Sequence, residues 1–187
     1  ETALKGGVRE VLATELLAAL NVPTSQSFSL IETGEALERH DEPSPTRSSV
    51  LVRLLHSHIR IGSFQRLAYL GQTDNLEKLL RHTVCHYYPE LDPDLPYEQL
   101  ILSFLSEFAE RVSDMVAGWM VAGFVHGVLN TDNFNITGES FDYGPWRFLP
   151  HFDPGFTAAY FDQTGRYAYG RQPSAAMWAL CRLADCF

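Results

Sequence analysis

The stretch HGVLNTDNFNITGESFDYGP, residues 126–145, decides how the rest of this sequence is read. It gathers a histidine, three asparagines and two aspartates around glycines, with apolar residues where a strand would need them. Asn and Asp are ordinary turn residues, because their short side chains bond the nearby backbone. They are also oxygen donors of the kind Mg²⁺ takes, one or two carboxylates alongside substrate phosphates. Between Asn133 and Asp142 lies FNITGESF, an apolar-polar segment that can turn back as a hairpin. Such a turn would set both side chains towards one ion.

Spacing separates turn chemistry from metal chemistry. Protein-kinase catalytic loops run His-Arg-Asp-x-x-x-x-Asn and are followed by Asp-Phe-Gly, the Asn and the second Asp holding the metals. Here Asn133 stands seven residues after His126, and Asp142-Tyr143-Gly144 has the Asp-x-Gly form. Both halves, in order, after a long apolar helix, make Asn133 and Asp142 the candidate metal ligands. One position departs from the pattern. Two residues after His126, where a kinase has its proton acceptor, this chain has Val128. The nearest carboxylate is Asp132, so the site is either silent or built for different chemistry around the same metal.

Outward from this stretch, Tyr97 to Phe124 reads as a long helix with an apolar side at Leu100, Phe104, Phe108, Val112, Met115 and Trp119. Asp74 to Tyr87 is a second helix with Asp74 as its N-cap, and Gly7 to Leu20 a third, its apolar positions at Val8, Val11, Leu12, Leu16 and Leu20. A last helix starts at Ser174. Gln26 to Ile31 and Ser49 to Leu54 read as strands, and the polar, proline-containing Thr33 to Ser48 as a surface loop. Helices and strands mix without alternating βαβ units, so the class is α+β.

Composition narrows the function. The 187 residues are 45% hydrophobic and 20% charged, enough for a core. A net charge of −9 argues against nucleic acid or an anionic membrane as partner, and no apolar run reaches the roughly 20 residues that span a bilayer. Cys85, Cys181 and Cys186 form no CxxC and no even framework, which points to a reducing compartment, with each read as a small buried hydrophobe. No signal peptide is visible, and the chain is not expected to be secreted. Lysines number two against twelve arginines. Glu10, on the first helix, stands where a kinase has the glutamate that clamps its phosphate-binding lysine. Lys5 is too close to Glu10 to lie on a preceding strand, and Lys78 is far downstream. That lysine and any Gly-rich phosphate loop are therefore expected outside these residues.

The stretches VREVLATELLAALNVPT, LVRLLHSHIRIGSF, HGVLNTDNFNITGESFDYGP, FDPGF, GRYAYGRQP and RLAD together resemble the selenoprotein O family of kinase-like protein adenylyltransferases. The resemblance runs essentially end to end. It implies a protein-kinase-like fold, with residues 1–60 a truncated N-terminal lobe and 61–187 a mainly helical lobe carrying the catalytic loop. It implies ATP bound inverted relative to a kinase and AMP transferred to Ser, Thr or Tyr hydroxyls of proteins. Asp132 would accept the proton, Asn133 and Asp142 would hold Mg²⁺ (or Mn²⁺), and Arg53, Arg60 and Asp142 would contact ATP, with Glu10 in support. A bacterial cytoplasm or a mitochondrion would suit such a protein. The family's lysine and its C-terminal redox residue have no counterpart here, and these residues alone are expected to transfer little. The rival readings are a γ-phosphate kinase, which Val128 disfavours, and a non-catalytic nucleotide binder.

Other candidates carry less. His56 and His58 lack a third ligand for zinc, and His126 is expected to order the loop by hydrogen bonds. His40, His82 and His86 read as surface positions. Tyr143, Trp146, Phe148 and Phe152 read as packing for the segment around Asp142.

Overall fold

Thr46–Leu54, rich in β-branched residues, is the centre of a small antiparallel sheet. A computed structural model of the chain describes residues 2–38 and 44–187. Strand β1 (Thr2–Ala3) leads directly into helix α1 (Leu4–Ala19), and β2 (Gln26–Leu37) pairs with β3 (Thr46–Leu54) in the order β1-β3-β2. Both described ends of the expected Thr33 to Ser48 loop are strand: beyond a bulge between Glu32 and Ala36, pairing continues as Ala36 with Arg47 and Leu37 with Thr46. Its polar composition reflects an exposed hairpin arm, across which the Glu32 carboxylate accepts from the Arg47 guanidinium. His40 lies outside the described residues.

Helix α1 buries a different face from the one its leucines suggest. Gly7, Ala13, Thr14 and Leu17 are buried, while Val8, Leu12, Leu16 and Leu20 are 42–50% exposed. Close packing on the sheet explains the choice. A Cβ on Gly7 would lie 2.5 Å from Leu30 Cδ1, and Thr14 Oγ1 and Ser27 Oγ share a 2.8 Å hydrogen bond. The small side of the helix is the side that fits. It ends at Asn21, whose φ of 57° is left-handed.

The remaining helices are α2 (Ile61–Tyr69), α3 (Thr73–Tyr87), α4 (Tyr97–Ala122) and α5 (Gln172–Ala184). Helix α4 is the spine, and all six apolar residues read from its sequence are at most 1% exposed. Phe104 stacks on Phe64 of α2 and on Phe108, and meets Tyr88 edge-on. The helix stops at Gly123 (φ 67°), so Phe124 begins β4 (Phe124–His126) rather than ending the helix. Strand β5 (Trp146–Phe148) pairs antiparallel with β4. Helix α3 starts from Gln72 as its N-cap, leaving Asp74 in the first turn, where a carboxylate favours the helix dipole. Cys85 and Cys181 are exposed and Cys186 half-buried, against the expectation of buried thiols. No helix among the described residues is long and apolar enough to cross a membrane.

Candidate active site

The stretch 126–145 folds as a turn, a hairpin and a second turn, all wrapped on a buried histidine. Asn130 caps a short 3₁₀ turn, Thr131–Asn133, by accepting from Asp132 N–H at 3.1 Å. The chain then reverses through Gly138 (φ 84°), with Asn135 N–H donating to Glu139 O at 2.9 Å and Phe141 N–H to Asn133 O at 3.0 Å. The expected hairpin is present, and it sets Asn133 opposite Phe141, one residue before Asp142.

His126 is fully buried and holds the ends of this loop together. Its Nδ1 accepts from Val128 N–H at 3.2 Å, which leaves the proton on Nε2 to donate to Asp142 O at 2.9 Å. Ser140 Oγ donates to the same carbonyl at 2.7 Å. Burial pushes the His126 imidazole down to about 4, so it stays neutral. It orders the loop, as read from the sequence.

Glu10 reaches the same place from α1. Its carboxylate accepts from Tyr143 N–H (3.1 Å to Oε2) and Gly144 N–H (2.9 Å to Oε1), and pairs with Arg53 of β3 at 3.1 Å. Burial raises its pKa, opposed by the Arg53 charge and the two amides. Arg53 also donates to Ser25 Oγ. The arginine is thus already held at one edge by Glu10. Its Nε is buried with no hydrogen-bond partner, and so is the Nε of Arg60, whose guanidinium lies 4.3 Å over the Phe141 ring.

Asp142 is half-buried, and burial raises its pKa while the charges of Arg53 and Arg60 lower it and Asp132 raises it. Those four side chains therefore share one electrostatic neighbourhood. Asn133 donates its Nδ2 to Val128 O at 2.5 Å, which turns the amide oxygen away from that bond. Hard oxygen donors on Asn133 and Asp142 fit a cation that completes its shell with phosphate and water. No group of three His, Cys, Asp or Glu able to hold a metal occurs among the described residues.

A cleft of about 690 Å³ opens beside Asp142, walled by Glu10, Phe141, Gly144 and by Val50, Leu51 and Arg53 of β3. Lys5 and Arg9, one turn apart on α1, also line it; no motif singled them out in the sequence. Arg9 is fixed by donating to Trp146 O and by its 4.9 Å stacking on the Trp146 ring. Asp132, Asn133 and Arg60 are not among the walls. His56 and His58 lie past the end of β3, and His56 pairs with Glu139 at 2.6 Å instead of forming a metal pair with His58. Tyr143 and Trp146 are packing residues, whereas Phe152 is 78% exposed.

The family described as "Protein adenylyltransferase SelO" matches residues 1–187. The chain belongs to the SelO family. Among curated SelO relatives, a protein from Synechocystis sp. named "Protein nucleotidyltransferase YdiU" is 55% identical over 180 residues, covering 96% of this chain and 38% of its own length. One of the same name from Trichormus variabilis is 56% identical, covering 95% and 36%, and one from Marinomonas sp. is 40% identical, covering 98% and 38%. The chain thus spans under two fifths of the length of these SelO relatives.

Proposed function

We propose that the full-length protein is a protein adenylyltransferase of kinase-like architecture, residues 1–60 contributing to one lobe and 61–187 to the other. One observation carries the reading: Arg53 and Arg60, each with a buried and unpartnered Nε, converge electrostatically on Asp142 beside an open cleft. Two guanidinium charges near a carboxylate at the edge of a cleft suit a polyphosphate. The names of the relatives point the same way.

In this reading ATP lies inverted relative to a kinase, with its α-phosphate towards the acceptor. Arg53 and Arg60 grip the phosphate chain, and Asp132 takes the proton from a Ser, Thr or Tyr hydroxyl of a protein. The freed oxygen bonds to the α-phosphorus as the bond to the β-phosphate bridging oxygen breaks, and pyrophosphate leaves. Asn133 and Asp142 would hold Mg²⁺ or Mn²⁺, which neutralises phosphate charge when bound. Glu10 keeps the Tyr143-Gly144 turn and Arg53 in register. Positioning and charge neutralisation account for most of such a transfer.

The test uses the full-length protein with Mg²⁺ and ATP labelled at the α- or the γ-phosphate. Covalent label from α-labelled ATP alone, lost in Asp142→Ala, is the expected result. Label from the γ-position would make the protein a kinase. A nucleotide-dependent rise in melting temperature without label would make it a non-catalytic binder.

A further inference from the structure

Gly62 stands at the second position of α2, where a glycine has no evident purpose. Its φ is not left-handed, so the backbone there accepts any residue, and alanine is the better helix former. The reason is spatial. A Cβ on Gly62 would lie 2.2 Å from Asp132 Oδ1 and 3.2 Å from Asp132 Cγ.

The two backbones cannot drift apart to relieve such a contact. Ile61 N–H donates to Phe134 O at 3.2 Å, and Ile136 N–H donates to Ile59 O at 2.9 Å, so the chain just before Gly62 is stitched to the chain just after Asp132. Ile61 and Phe64 are fully buried and anchor the start of α2. On the other side, Asn130 holds the 3₁₀ turn through Asp132 N–H and Asn133 N–H. The soft coordinate left between them is the Asp132 side chain itself.

We infer that Gly62 is a positioning residue: the space of its missing side chain is the seat of the Asp132 carboxylate. The inference rests on the proposed role of Asp132 as proton acceptor. A methyl group at 62 would leave the fold intact and swing the carboxylate out of its seat.

The experiment compares Gly62→Ala, Gly62→Ser, Asp132→Asn and the double variant Gly62→Ala/Asp132→Asn in the full-length protein. Transfer to the protein itself from α-labelled ATP is measured, together with the KM for ATP and the melting temperature with and without MgATP. Gly62→Ala should lower kcat by about a hundredfold, the scale of a 1 Å misplacement. Its KM for ATP and its MgATP-induced stabilisation should match the unaltered protein. Gly62→Ser should fall further, and in the double variant the alanine should cost nothing beyond Asp132→Asn. Full activity in Gly62→Ala overturns the inference. So does an additive loss in the double variant, a raised KM, or a fallen melting temperature, each of which makes the glycine a requirement of the fold or of ATP binding. Asp132→Asn transferring at the unaltered rate would instead remove the proton-acceptor role itself.

Discussion

His126 shows how one side chain sets a pH limit on the site. The unfolded imidazole titrates near 6.5, and burial holds the folded one at about 4. Between these values the unfolded chain binds the proton and the folded chain does not. The stability due to the neutral ring is therefore complete above pH 6.5 and lost as pH falls towards 4. From pH 7 to pH 5 the loss is about 2 kcal/mol. Denaturant titrations at the two pH values should show that fall in the unaltered protein and a smaller one in His126→Gln. Parallel falls in both would show that His126 is not the group responsible. The His126-to-Asn133 spacing and Asp142-Tyr143-Gly144 were legible at this scale because they are local. The seat of Asp132 on Gly62 was not, since 70 positions separate the two and no residue-type pattern marks a contact of that kind.

Among the elements, β4 depends on a side chain from α5. Gln172, fully buried, accepts from His126 N–H at 2.8 Å and donates Nε2 to Phe124 O at 2.9 Å, so it acts as a missing strand beside β4. Gln172→Leu keeps the volume and strands both backbone groups, at a cost of about 3 kcal/mol for the pair. Chemical denaturation would measure it; a change under 1 kcal/mol would mean that neither bond contributes (about the worth of one ordinary bond). The long helix α4 was readable because its apolar period persists over seven turns. Helix α2 was not recognised, since nine residues give too few turns for a period to stand out. The leucine stripe of α1 pointed to the wrong face, because burial there is decided by how closely Gly7 and Ala13 let the helix approach β2 and β3.

For the molecule as a whole, the sheet and the helices meet the loop at Glu10. Removing its carboxylate leaves the Arg53 charge 89% buried without its partner and frees two amides. Breaking such a pair from one side costs about 3 kcal/mol or more. Glu10→Ala should also let the Tyr143 and Gly144 amides exchange hydrogen faster than in the unaltered protein, which amide-resolved exchange would read. Unchanged protection at both would show that the turn holds without α1. The α+β class was legible from element order, but this junction was not: its four participants come from α1, β3 and the turn after Phe141, and only the fold assembles them.

Because one carboxylate closes all of these contacts, they behave as a single latch. Rotating α1 by part of a turn would not loosen the wall beside Asp142 by degrees. It would free Arg53 and the Tyr143-Gly144 turn from α1 together, with Ser25 Oγ left as the remaining hold on the guanidinium.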